Sequence, residues 1–122
     1  MRLNELLSEI TKTDSFIKAS AIASYDGVNH CYSNLDEMDE DYISAISAAI
    51  FAASKNGIAQ LVGGKIKQIA IEGDEGHVLI TSPSDELLLT TVAQVGANVQ
   101  AILQQMSLVK GRISAETLVL GQ

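Results

Sequence analysis

The sequence predicts one α/β domain of the α+β kind, with three helices and a single five-stranded antiparallel sheet in the order α-β-β-α-β-β-β-α. Three observations predict it. Apolar residues recur at helical spacing in three places, and five short runs between them are apolar or alternating. Tight-turn signals join most of those runs: Asp26-Gly27, Gly73-Asp74-Glu75-Gly76 and Pro83-Ser84-Asp85. Short turns join antiparallel neighbours, because a parallel pair needs a long crossover. At 122 residues the chain has the size of one domain and can bury a core without a disulfide or metal staple.

Leu3, Leu6, Leu7 and Ile10 fall on one face of an amphipathic helix, which Thr13-Asp14-Ser15 ends. Residues 16–25 read as a strand and residues 28–33 as its return. Asp26-Gly27 between them predicts a type I′ turn, with positive φ at both positions. Asp36, Glu37, Asp39, Glu40 and Asp41 then precede a helix running to about residue 62. Carboxylates there complement the helix dipole, and Asp36 or Asp39 is its N-cap. On the helical wheel Ile43, Ile46, Ile50, Ala53 and Leu61 share a face that reads as the core side. Ala45, Ala48, Ala49, Ala52 and Ala59 gather on a second face. Gly57 weakens the helix and Gly63-Gly64 ends it.

Residues 65–72, 77–82 and 86–92 read as three further strands. Ile69-Ala70-Ile71 and Leu87-Leu88-Leu89 are apolar on both faces, so the sheet must be covered on both sides. Val95, Val99, Ile102, Leu103, Met106 and Val109 mark the last helix, and Gly111 is expected to end it. That divides the chain into a domain of residues 1–111 and a segment, 112–122, expected to be a tail or a short extra strand.

The net charge of -7 disfavours nucleic acid and anionic membrane surfaces as partners. No apolar run approaches the ~20 residues that span a bilayer. Glu5 and Glu9 set the first ten residues apart from a signal peptide. Cys31, the single cysteine, has no internal disulfide partner and fits a reducing, cytoplasmic setting.

Catalytic motifs are absent from the sequence. Gly63-Gly64-Lys65 fails as a phosphate loop, because Ala59 stands where the first glycine belongs and Ile66 follows the lysine. His30 and His77 lie on separate strands without ligands at metal spacing, and Asp74, Glu75 and Asp85 read as turn carboxylates. Cys31 has no nearby cation in sequence to lower its pKa. The expectation is a binding protein rather than an enzyme, with no catalytic, cofactor or metal residue assigned. Two surface features have double readings. Asp39, Glu40 and Asp41 are a docking patch for a basic partner or a solvated helix start. The alanine face is a helix-packing interface or a run of good helix formers.

Four stretches carry a family resemblance: Ala21-Ile22-Ala23-Ser24-Tyr25-Asp26-Gly27, the helix through Ala48-Ala49, Leu87-Leu88-Leu89-Thr90-Thr91-Val92-Ala93, and Gly96-Ala97-Asn98-Val99-Gln100. In this order and spacing the chain resembles the roadblock, or dynein light chain, family of bacterial or archaeal type, over about residues 5–110. The resemblance implies a central helix on one face of the sheet and the two terminal helices on the other. It also implies a homo- or heterodimer, in which the strand after the central helix pairs with its mate and the central helices pack side by side. Here that maps to Ile66, Gln68 and Ala70 and to Ala45, Ala48, Ala49 and Ala52. Family members scaffold or regulate small Ras-like GTPases, and some accelerate GTP hydrolysis. The implied function is a non-enzymatic dimeric adaptor or GTPase regulator. The alternatives are a motor-complex light chain, a small-molecule sensor and a metal-assisted enzyme using His30, His77 or the turn carboxylates Asp74, Glu75 and Asp85. The sensor reading lacks convergent polar groups in the sequence.

Overall fold

The computed structural model describes residues 2–34 and 37–120. Its elements are α1 (Arg2–Thr11), β1 (Ile17–Ser24), β2 (Asn29–Asn34), α2 (Glu40–Leu61), β3 (Ile69–Gly73), β4 (Gly76–Thr81), β5 (Leu87–Gln94) and α3 (Val99–Leu120). The strands form one sheet in the order β2-β1-β5-β4-β3, every pair antiparallel. The central strand β5 pairs with β1 from the other half of the chain, so the sheet closes only when both halves are in place.

The face under α1 and α3 holds the larger core. Leu6, Leu7 and Ile10 of α1 meet Ile102, Met106, Val109 and Ile113 of α3 over Ile22, Leu79 and Leu89. The periodicity of both helices dictates this, because each presents one apolar stripe and buries it. A buried Ser20–Thr91 hydroxyl pair at 3.0 Å satisfies the polar groups on this face. Asp14 ties the ends of the layer together. Its carboxylate accepts the Asn98 N–H and the Phe16 N–H, each at 2.8 Å, and these donors hold its pKa below the ordinary carboxylate value.

The opposite face carries α2 and is built from small residues. Ala19 and Ala21 of β1 pack against Ile43. Gly27 lies so close to α2 that an added Cβ would sit 3.3 Å from the Ala45 Cα. Farther along, Phe51 packs on Ile80 and Leu88.

Several local expectations change. The hairpin loop is three residues, Tyr25-Asp26-Gly27, closed by Gly27 N–H to Ser24 C=O at 3.0 Å and Ser24 N–H to Val28 C=O at 2.9 Å. Gly27 alone has positive φ (88°), so this is a type I turn with a glycine bulge rather than a type I′ turn. The Ser24 hydroxyl bonds Asp26 and accepts the Val28 N–H, which favours the longer loop. The core side of α2 is also rotated from the expected stripe. Ile43, Ser44, Ser47 and Phe51 are buried, whereas Ile46 and Leu61 are exposed. Serine is tolerated there because Ser44 and Ser47 donate to the carbonyls of Glu40 and Ile43, and Thr90 donates to Ser47 at 2.8 Å.

Asp39 is the N-cap of α2, accepting the N–H groups of Asp41 and Tyr42; Asp36 lies outside the described residues. Gly63 and Gly64, at φ 92° and 83°, end the helix as expected. Strand β3 begins at Ile69 rather than at residue 65. Helix α3 continues through Gly111 to Leu120, so residues 112–120 are helical and neither a tail nor a strand. Ile113, fully buried at the spacing set by Ile102, Met106 and Val109, carries the helix past the glycine.

Candidate functional site

Two features meet on the α2 side of the molecule. Strand β3 pairs with β4 on one side and, among the described residues, has no strand on its other side. A free edge presents unpaired backbone donors and acceptors, and proteins cover or pair such edges. β3 is short, and its Ile71 is 42% exposed on the α2 side of the sheet, opposite Val78.

The outward face of α2 supplies the second feature. Ala45, Ala49, Ala52 and Ala53 are exposed there beside the exposed Tyr42 and Ile46. No charged residue occurs between Asp41 and Lys55. A solvent-facing helix surface is normally charged. At the C-terminal end Leu61 and Val62 are 85% and 82% exposed. Between this end of α2 and β3 runs a groove of about 470 Å³, lined by Ser54, Ile58, Val62, Ile66 and Ile69 among others.

The residues singled out in the sequence fall into distinct places. Ala45, Ala49 and Ala52 share the exposed face of α2. Ala48 turns toward the sheet and packs, half-buried, against the Phe51 cluster. Ile66 packs against the same cluster from the segment before β3. Gln68 is exposed just ahead of the strand. Ala70, exposed, points to the α1 and α3 side, because it pairs with Leu79 of that core. Ile46, Leu61, Val62 and Ile71 were missed as surface residues. Their apolarity argued for the core; the rotation of α2 exposes Ile46, whereas Leu61 and Val62 lie at the C-terminal end of the helix and Ile71 on the edge strand.

At the other end of α2, Glu40 and the exposed Asp41 flank the capping Asp39. Asp39 therefore has a structural duty whatever else the patch does. Cys31 is buried with its thiol donating to Asn4, and burial pushes its pKa up, away from a reactive thiolate. His30 is exposed and His77 is half-buried opposite Glu72. Among the described residues no group of three His, Cys, Asp or Glu side chains could hold a metal ion. No helix among them is long and apolar enough to cross a membrane.

Known proteins share this architecture. A roadblock/LC7 domain from Streptomyces avermitilis superposes with a TM-score of 0.87 at 16% identity, covering 94% of this chain and 97% of that one. The protein MglB, in a structure with a tetrameric arrangement, gives a TM-score of 0.84 at 13% identity over 93% and 86% of the two chains. In sequence, the Methanocaldococcus jannaschii protein MJ0310 is 26% identical over 87 residues, which is 71% of this chain and 75% of that protein. Residues 3–93 match the Roadblock/LC7 domain. With the five-stranded sheet, the paired terminal helices and the single helix on the other face, that match places this chain in the Roadblock/LC7 domain family.

Proposed function

We propose that this chain is a non-enzymatic homodimeric adaptor that binds and regulates a small Ras-like GTPase, working in the cytoplasm. The observation that carries the reading is that α2 has an uncharged, exposed alanine face and β3 has a free edge among the described residues. Small side chains allow two helix backbones to approach closely, and an edge strand gains a full ladder when it meets its own copy across a two-fold axis. In this dimer Ala45, Ala49 and Ala52 form the helix contact, with Ala48 behind them. The segment Ile66 to Ala70, including Gln68, lies along the strand contact. Asp39, Glu40 and Asp41 remain outside it as an acidic docking patch. The tetrameric arrangement of the similar MglB accords with self-association. The GTPase partner follows from the roles known in the family.

Light scattering on purified protein tests the dimer. The expected result is twice the mass of the chain, falling to one chain in Ala52→Glu, whose exposed position leaves the monomer fold unstressed. A wild-type monomer at micromolar concentration refutes the dimer. For the partner, immobilised dimer is offered Ras-like GTPases from the same organism loaded with GTP or GDP. Retention that depends on the nucleotide supports the reading, and nucleotide-independent or absent retention for all of them defeats it.

A further inference from the structure

We propose that the cleft between the C-terminal half of α2, the Gly64–Ile66 segment and the β4–β5 turn binds a small molecule bearing a phosphate group. The cleft measures about 560 Å³. That lies within the range of roughly 300–1,000 Å³ usual for small-molecule sites.

Its charge is out of keeping with the chain. The protein is net -7 and has eight Lys and Arg in all, yet Lys55, Lys65 and Lys110 line this one cleft. They come from α2, the following loop and α3, so only the fold brings them together. Among the described residues none of the three has an ion-pair partner, whereas Arg112 is engaged by Glu9 at 2.7 Å. Lys55 is held with its ammonium 5.8 Å above the Tyr25 ring. Asp85 is the one acidic residue in the lining, so the cleft is two charges positive. A phosphate monoester carries about -1.5 to -2 at neutral pH and matches that excess.

Neutral donors add to the ammoniums. The Ser84 hydroxyl accepts the Glu86 N–H at 3.2 Å and keeps its own proton to donate. The Gly64 N–H, in the same lining, has no protein acceptor among the described residues. The wall behind them is firm: the Tyr25 and Ser82 hydroxyls are paired at 2.6 Å, and both oxygens lie within hydrogen-bond distance of the Ser84 carbonyl. Phe51, Ile66 and Pro83 provide an apolar surface for the organic part of the ligand. These convergent polar groups are what the sensor reading lacked in the sequence. Ala59 and Ile66 line this cleft but Ala45, Ala49 and Ala52 do not, so Lys55 and Lys65 can be varied without touching the proposed helix contact.

Backbone amide shifts in a ¹H–¹⁵N titration test the site on the intact protein, with inorganic phosphate, phenyl phosphate and hexaglutamate as probes in low salt. The expected result is saturable shifts centred on Gly64, Lys65, Ser84 and Asp85, with phenyl phosphate binding more tightly than inorganic phosphate. Lys55→Ala with Lys65→Ala should weaken phenyl phosphate at least about tenfold, as loss of charge-assisted hydrogen bonds does. Lys55→Arg with Lys65→Arg should restore most of it. Shifts that are absent at millimolar probe, spread over every lysine, or unchanged in the double alanine variant overturn the proposal. Tighter binding of hexaglutamate at the same amides overturns it in favour of an acidic peptide. Both variants are at exposed positions, and an unchanged amide spectrum without ligand confirms their fold.

Discussion

The two faces of the sheet are built on opposite plans. Under α1 and α3, large aliphatic side chains interlock and are fully buried. Under α2 alanines, serines and a glycine make a close contact around Ile43 and the smaller Phe51–Ile80–Leu88 cluster, and much of the helix's own apolar surface points outward. The first face is complete in one chain. The second is a close, shallow seat that holds the helix and leaves an apolar surface over. The difference teaches that the deep apolar core and the exposed apolar surface lie on different sides of one sheet. The α1 and α3 side supplies the hydrophobic burial that offsets chain entropy, and the α2 side presents what a second chain can cover.

That contrast can be broken experimentally. The largest effect belongs to the finished face. Leu79→Ala removes a fully buried side chain beneath α3 and should cost about 2–5 kcal/mol in urea unfolding. A cost below that of a surface substitution would show that this face is not the stabilising one. On the α2 face the serine seat should matter less. Ser47→Ala leaves the buried Thr90 hydroxyl without its acceptor and should cost about 1–3 kcal/mol. Adding Thr90→Val should recover part of the loss, because an apolar pair needs no partner. Additive losses in the double variant would mean that the hydroxyls are not coupled.

The smallest effect concerns the link at Asp14. Its carboxylate is stabilised by the N–H groups of Asn98 and Phe16, so its folded pKa lies below the unfolded one. The stabilisation is therefore complete above the ordinary carboxylate value of 3.8 and fades as pH falls toward the lowered value. Asp14→Ala should lower the melting temperature slightly at neutral pH, and the gap to wild type should narrow as the pH is taken below 3.8. A gap that stays constant or widens on acidification would deny Asp14 this role.

Much of the fold was legible because its signals are local. Leu6, Leu7 and Ile10 announce α1, and the turn residues announce the antiparallel hairpins, though not the pairing of β1 with β5. The family motifs around Asp26-Gly27 and Leu87–Gln94 lie where β1 and β5 run. The orientation of α2 was legible only in part. Apolar and small residues surround that helix on nearly all sides, so periodicity could not say which stripe faces inward. Ala48 and Ala52 looked equivalent, but one packs on the sheet and the other is exposed.

By itself the sequence determined the kinds and order of the elements and the acidic net charge, because neither depends on which residues meet after folding. The tertiary structure decided the rotation of α2, which follows from Ala19 and Ala21 leaving room for Ile43, Gly27 lying against the Ala45 backbone and Thr90 bonding Ser47. It also decided the extension of α3, because the site that buries Ile113 exists only once the other helices are in place. The gathering of Lys55, Lys65 and Lys110 depended on it most, since charges so far apart along the chain share a field only after folding brings them to one cleft.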